Sequence, residues 1–338
     1  MPAGRTLVVA PNWLGDSLMA QPLLTRLRAK QPSMAIDVLA TPAVTPVFRR
    51  MPEVDQVFEE DFRHGQLGLR RRWRIGRAFR GRYAQAFVLP NAWKSALVPF
   101  FADIDLRVGY VGESRYGLLN VTHRNPTASR EMPMTRFYAQ LAEPPGRRLV
   151  DELPAPWLRV DPLAAIAAKV TLGLKPAARI AALCVGAEYG PAKRWPTEHF
   201  AELASRLAAA GMTPIVLGTQ KDVPAGLSIE QLSSGAALNL AGRTSLDEAI
   251  LLIAGSAVVV TNDSGLMHVA AALGRPQVAL FGSSSPAHTP PLSEAATVVY
   301  RELSCSPCFA RECPLGHLRC LREIAPAAVA ELALGRSA

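Results

Sequence analysis

Long hydrophobic runs are missing from this chain of 338 residues. The most continuous apolar stretch, around Ala249 to Val260, is about half the roughly 20 residues needed to cross a bilayer, and Gly255 and Ser256 interrupt it. No segment is expected to span a membrane. The N-terminus goes from one arginine directly into Leu7-Val8-Val9-Ala10, with neither a long apolar h-region nor a small-residue cleavage site, so a cytoplasmic location is expected. Aromatic residues make up only 7% of the chain and are scattered, which argues against a base-stacking platform. Cysteine is scarce too: there are five, and four crowd between Cys305 and Cys320, unlike the distributed framework of a small secreted domain. Two glycine motifs are absent. No G-x-G-x-x-G follows the first strand and no G-x-x-x-x-G-K-[ST] occurs anywhere, which removes the main support for a dehydrogenase or a P-loop ATPase.

Acidic residues are short in one half only. Residues 1–150 hold 22 Lys+Arg against 12 Asp+Glu, and residues 151–338 hold 15 against 16. The basic half therefore suits an anionic partner, whether nucleic acid, acidic headgroups or a phosphorylated metabolite. The length most simply makes two domains, and 49% hydrophobic residues supply a core for each. In the first part β-rich runs alternate with helical stretches: Thr6–Pro11, a helix from about Asp16 to Lys30, Ala35–Ala40, then strands near Gln56–Phe58, Ala86–Pro90 and Leu106–Tyr110. A Pro-rich text between Glu143 and Pro162 reads as a linker. The rhythm then restarts with strands at Ile180–Val185, Thr213–Leu217, Leu238–Leu240, Ala257–Thr261 and Gln277–Phe281. Helices are expected over about Thr197 to Ala210, Leu246 to Ala254 and Ser264 to Leu273. This is the pattern of two doubly wound parallel-sheet α/β domains, over 1–155 and 156–338, with the C-terminal helix from about 323 turning back toward the N-terminal domain. Such sheets bind ligands beyond the carboxyl ends of their strands, so a shared central cleft is expected.

Three strand-to-helix turns carry candidate chemistry. In Pro11-Asn12-Trp13-Leu14-Gly15-Asp16-Ser17, Asp16 falls at a helix start, where it is either an N-cap or a proton acceptor whose charged form the helix terminus favours. In Cys184 to Pro196, small residues permit close backbone approach, and Lys193 and Arg194 either supply charge to a diphosphate or form a solvated pair. In Val259 to Gly274, a buried strand ends at Asp263, and Ser264 and Gly265 open an apolar helix with free N–H groups. His268, four residues after Ser264, shares its face; a lone helical histidine is commonly structural, but the convergence with Asp263 and Ser264 favours function.

Taken in order, GDSLMAQPLL, GAEYGPAKRWP and TNDSGLMHVAAALG make the chain resemble the heptosyltransferase family of lipopolysaccharide synthesis, glycosyltransferase family 9. The segments APNWLGDSLMAQPLL, RMPEV, VLPNAWKSALVPFFADIDLRVGYVGESRYGLLN and CSPCFARECPLGHLRC are similar to the branch that extends the first inner-core heptose. The resemblance covers nearly the whole chain and implies a GT-B fold of two Rossmann-like domains facing a cleft. It implies inverting transfer of L-glycero-D-manno-heptose from its ADP-β-linked donor to heptosyl-Kdo2-lipid A; addition of the first heptose to Kdo, or of a later branch heptose, is the alternative.

By the same resemblance Asp16 is the general base, Lys193 and the Ser264-Gly265 helix mouth hold the diphosphate, and Asp263 and His268 lie near sugar and phosphates. No cofactor and no catalytic metal are implied, since lysine and helix-dipole charge replace the divalent ion, and nucleic acid is not an expected partner. Gly218 to Asp222 lies where relatives contact the nucleoside, without one residue matching securely. The N-terminal domain would bind the anionic acceptor, with Lys94 and Arg115 as candidates, at the cytoplasmic face of the inner membrane as a peripheral protein. Eight arginines, Arg63, Arg70, Arg71, Arg72, Arg74, Arg77, Arg80 and Arg82, either serve that acceptor or form a solvated helix face. The cluster Cys305-x2-Cys308-x4-Cys313-x6-Cys320, with His317 inside it, resembles a zinc knuckle but fits no standard spacing; structural zinc, reduced thiols and a regulated disulfide all stay open.

Overall fold

The apolar runs become strands because they are covered on both faces. A computed structural model describes residues 4–62, 66–125, 132–150 and 152–337; Arg63 of the arginine run lies outside the described residues. The chain folds as two compact units, Met1–Pro156 and Trp157–Ala338.

The first unit contains β1 (Arg5–Val9), β2 (Ile36–Ala40), β3 (Gln56–Glu59), β4 (Tyr83–Val88), β5 (Leu106–Tyr110) and β6 (Val121–His123). They form one sheet in the order β3-β2-β1-β4-β5-β6, every pairing parallel. Val8 of β1 lies opposite Val38 of β2 and Phe87 of β4, so β-branched and aromatic side chains meet across the three central strands. Leu7, Val9, Ala86 and Val88 join Ile75 and Phe79 in the core on one face.

The second unit contains β7 (Ile180–Cys184), β8 (Thr213–Leu217), β9 (Leu238–Asn239), β10 (Ser256–Asn262), β11 (Gln277–Phe281) and β12 (Ala296–Tyr300). Its sheet runs β12-β11-β10-β7-β8-β9, again wholly parallel. Numbered from its own first strand this is the same order as the first sheet. In both, the strand order reverses beside the first strand, at β1/β4 and at β7/β10. Such a switch point leaves a crevice at the carboxyl ends, because the two crossovers leave the sheet on opposite faces.

Some elements differ from the sequence expectation. The helix expected over Asp16 to Lys30 is two helices, Leu14–Met19 and Gln21–Lys30, with Pro22 in the first turn of the second. Proline lacks the N–H that an uninterrupted helix would need there, whereas a first turn does not use it. Two edge strands, β6 and β12, and the helix Val223–Leu232 are additions to the expected elements. The C-terminal helix Pro326–Arg336 buries Val329, Ala330 and Ala333 in the core of the second unit, where Leu203, Val260 and Val278 also lie.

Candidate active site

All the turns singled out by sequence leave central strands. Asp16 follows β1, Lys94 follows β4, Lys193 follows β7, and Asp263 follows β10.

In the first unit, Trp13 is the N-cap of the helix Leu14–Met19, with extended φ −98° and ψ 138°, and Asp16 is the third helical residue. Asp16 is therefore not the cap. Its Oδ1 accepts a hydrogen bond from the Tyr138 hydroxyl at 3.0 Å. Ser17, which the sequence places next to it, turns inward and donates to the Trp13 carbonyl at 2.9 Å, tightening the turn. Tyr138 is buried on the helix Met134–Ala139, and burial together with the Asp16 carboxylate pushes its phenol well above the ordinary range. It is thus a neutral donor that orients one carboxylate oxygen.

Beside the ends of β1, β2 and β4 lies a cavity of about 650 Å³, lined among others by Asn12, Thr41, Phe62, Arg72, Trp93 and Lys94. Lys94 is half-buried on the turn Trp93–Ala96. Arg72 departs from its neighbours. The helix Leu69–Phe79 buries Arg72, Ile75, Gly76 and Phe79 along one side and exposes Arg70, Arg74 and Arg77 on the other. Most of the run is thus a solvated face, with Arg71 paired to Glu60 at 2.6 Å and Arg80 to Asp103 at 2.8 Å. Arg72 is only 5% exposed. Its guanidinium sits 4.1 Å from the Phe62 ring centroid, and its Nε donates to the Leu67 carbonyl at 2.7 Å. No carboxylate among the described residues pairs with it, and desolvation lowers its pKa.

Arg115 is placed otherwise. It is 3% exposed and donates to the carbonyls of Pro90, at 2.7 Å, and Tyr110, and to Asn91 Oδ1 at 3.4 Å. Its Nη atoms are committed to holding the loop after β4 against β5, and its Nε is buried without a partner. The charge that made it an acceptor candidate serves the fold.

In the second unit the charged groups are gathered tightly. Asp263 is buried, and its Oδ2 accepts from Lys193 Nζ at 2.5 Å and from the Ser284 hydroxyl; Thr289 approaches Oδ1 at 3.5 Å. Lys193 also lies 4.9 Å over the Tyr189 ring. Ser264 is the N-cap of the helix Gly265–Ala272 and spends no side-chain bond on capping; its hydroxyl is 3.3 Å from that of Thr261. The first-turn amides from Gly265 onward therefore open on the same turn that carries Asp263. His268 is buried on the following turn, where desolvation first, and the Lys193 charge, push its pKa down to about 4 against the opposing pull of Asp263. Its imidazole is neutral at physiological pH.

The loop that carries Lys193 is held from several sides. Asn262 accepts from the Trp195 amide at 3.0 Å and donates to the Val185 carbonyl at 2.7 Å, Trp195 Nε1 donates to the Ile324 carbonyl at 3.1 Å, and Arg194 pairs with Asp222 at 3.3 Å. Asp222 in turn accepts from the Thr219 amide and hydroxyl, each at 2.9 Å. So of the anticipated basic pair Lys193 enters the site, while Arg194 anchors the loop. Sequence reasoning missed Ser284, Thr289, Tyr189, Asn262 and Tyr138; only Asn262 and Tyr189 stand inside the motifs that carry the family resemblance. Among the described residues no three His, Cys, Asp or Glu side chains stand as a ready ligand set for a metal ion.

Two doubly wound parallel sheets in tandem, each with its polar groups at the switch point, match a solved structure described as Escherichia coli ADP-heptose lps heptosyltransferase II. The TM-score is 0.87 with 39% identity over 98% of each chain, and the fold is GT-B. A model of glycosyltransferase family 9 (heptosyltransferase) matches residues 72–319. The chain belongs to that family and is a glycosyltransferase of the heptosyltransferase type. It is 43% identical over 306 residues, 87% of each chain, to lipopolysaccharide heptosyltransferase 2 of Escherichia coli. Over 308 residues, again 87% of each chain, it is 42% identical to lipooligosaccharide heptosyltransferase 2 of Haemophilus influenzae.

Proposed function

We propose that the protein transfers L-glycero-D-manno-heptose from ADP-heptose to the first heptose of the lipopolysaccharide inner core, with inversion at the anomeric carbon. The observation that carries this reading is similarity over nearly the whole chain to enzymes named lipopolysaccharide heptosyltransferase 2. In it the two units divide the labour. Asp16, oriented by Tyr138, takes the proton from the acceptor hydroxyl as that oxygen attacks C1; Lys193 and the amides opening at Gly265 take up the charge developing on the departing diphosphate. Asp263 keeps Lys193 extended before the donor arrives and faces the donor's sugar hydroxyls once the ammonium turns to phosphate. Neutral His268 donates or accepts one hydrogen bond there without competing for the anion.

The acceptor sits in the first unit. Its carboxylate-bearing and phosphorylated groups are met by Arg72 and Lys94 in the 650 Å³ cavity, where aromatic and aliphatic walls suit the apolar faces of sugars. The exposed arginines of the helix Leu69–Phe79 face anionic headgroups, giving peripheral association with the cytoplasmic face of the inner membrane; no helix among the described residues is long and apolar enough to cross a membrane. The test offers labelled ADP-heptose to truncated acceptors ending at Kdo or at the first heptose. Label on the second acceptor only is expected. Label on the Kdo-terminated acceptor alone reassigns the step, and label on neither removes the reading.

A further inference from the structure

The outer side of the arginine-rich helix carries large apolar side chains as well as charge. On Leu69–Phe79 the buried positions are Arg72, Ile75, Gly76 and Phe79. On the opposite side Trp73 is 53% exposed and Leu69 48%. Four residues apart, they stand one above the other as a single apolar stripe. The stripe runs on the flank next to the helix Leu97–Phe101. Gly76, three residues after Trp73, packs so closely there that a Cβ would stand 2.5 Å from Phe101 Cβ and 2.9 Å from the Val98 carbonyl oxygen. That second helix leaves Phe100 42% exposed. Arg70, Arg74 and Arg77 are exposed on the adjoining face of the first.

The charge around the stripe is of one sign. Between Asp61 and Asp103 the sequence has no acidic residue. Two flanking acids reach back: Glu60 pairs with Arg71 at 2.6 Å and Asp103 with Arg80 at 2.8 Å. Arg70, Arg74 and Arg77 make no ion pair among the described residues. A second copy of this surface is therefore repelled by the first, which excludes the patch as a self-complementary dimer face. A nucleic acid matches the charge but offers Leu69 only water or a backbone. An anionic bilayer satisfies both features together. Its phosphates accept from the guanidinium groups, its interfacial layer takes an indole, and its acyl chains take leucine and phenylalanine.

We propose that this side of the first unit is a membrane-insertion surface, in which Leu69, Trp73 and Phe100 enter an anionic bilayer while Arg70, Arg74 and Arg77 bind its phosphates. Attraction of arginines to headgroups holds a protein near a membrane in any orientation that presents charge; an apolar stripe on one flank fixes which face goes down. The inner side of the same helix gives that orientation a use. Arg72 lines the 650 Å³ cavity and also an adjoining space of about 280 Å³, which Leu67 and Gly68 line at the start of the helix. One helix thus meets lipid on its outer side and closes the cavity with its inner side, so that a glycolipid reaches the cavity from the surface in which it is anchored. Only this last point rests on the transfer reading.

The test is flotation of the full chain with phosphatidylethanolamine vesicles, with and without phosphatidylglycerol and free of lipopolysaccharide. Binding is expected only with phosphatidylglycerol. Trp73→Ser is expected to weaken it about tenfold, the effect of withdrawing one large apolar side chain from an apolar layer. Arg74→Gln and Arg77→Gln are each expected to weaken it roughly fivefold, an effect that high salt erases in the wild type. Trp73→Phe keeps the binding but loses part of the tryptophan quenching by lipids brominated on the acyl chain. All four variants are expected to glycosylate a soluble, deacylated acceptor like the wild type, and Trp73→Ser to slow on acceptor embedded in vesicles. Wild-type protein that ignores phosphatidylglycerol vesicles overturns the proposal, as does Trp73→Ser binding them unchanged. So does tighter binding to a single-stranded oligonucleotide than to vesicles, or a dimer that Trp73→Ser dissociates. Vesicle binding is read without donor or acceptor, so failure of the transfer reading leaves it interpretable.

Discussion

The two units share a strand order and differ in what stands at the switch point. Beyond β1 and β4 there is open volume, about 650 Å³, with a buried arginine, a half-buried lysine and aromatic walls around it. Beyond β7 and β10 stand groups already bonded to each other, Lys193 to Asp263 to Ser284. One arrangement is open and lined by both signs of charge, Arg72 and Lys94 with Asp61 and Glu113, and the other has its charges bonded to one another. The same backbone topology therefore carries either solution, because the loops after the strands, and not the sheet, decide what is presented.

The hardest blow to this contrast falls on Asp16. Asp16→Asn keeps the Tyr138 contact geometry but removes the proposed proton acceptor, and turnover is expected to fall by about 10²–10⁴ while ADP binding by calorimetry is unchanged; near-normal turnover would take the base out of the first unit. Next, Lys193→Ala removes the cation proposed to meet the leaving group and is expected to lower kcat/KM by about 10²–10³, leaving acceptor affinity intact. Arg72→Gln sharpens the comparison from the other side. Its expected effect is about a tenfold rise in acceptor KM with donor KM unchanged, and the rise should vanish for an acceptor stripped of its charged groups. An equal loss for charged and uncharged acceptors would make Arg72 a packing residue only.

A further effect is on stability. His268 is held neutral, with its pKa lowered from 6.5 to about 4. Between those values the unfolded chain binds the proton and the folded one does not, so stability is present above the unfolded pKa and is lost as pH falls through the folded one. The loss is on the order of 3 kcal/mol by pH 4. Denaturant midpoints from pH 7 to pH 4 should show it for the native chain, and it should be absent in His268→Gln; a slope equal in both would place the acid sensitivity elsewhere.

The central strands were legible because parallel strands buried on both faces read as unbroken apolar runs: Leu7 to Val9 and Val258 to Val260 are cases in point. β6 and β12 were not, since Val121–His123 has only three residues and Ala296–Tyr300 is half-exposed at an edge, so neither shows a run. The site divided along the same line. Asp16, Lys193, Asp263, Ser264 and His268 stand in or beside strand-to-helix turns, and a turn after a buried strand is visible in one dimension. Tyr138 reaches Asp16 across 122 positions, and Ser284 reaches Asp263 across 21, so no local pattern announces them. Arg72 and Arg115 show the opposite limit: sequence counted their charge correctly and could not say that both are buried, one facing a cavity and the other wrapped in carbonyls.

What the sequence determined by itself was the alternation of strands and helices, the division into two units, the basic excess of the first and the order of the family's motifs. The first three follow from composition and periodicity and the last from resemblance to a known family, and all are read from neighbours along the chain. The tertiary structure alone decided which of the arginines lost its water, which basic residue of the Lys193-Arg194 pair entered the site, and that four cysteines spread over sixteen positions surround one cavity. Those outcomes depend on desolvation and on distances between residues far apart in sequence, and neither quantity exists until the chain has folded.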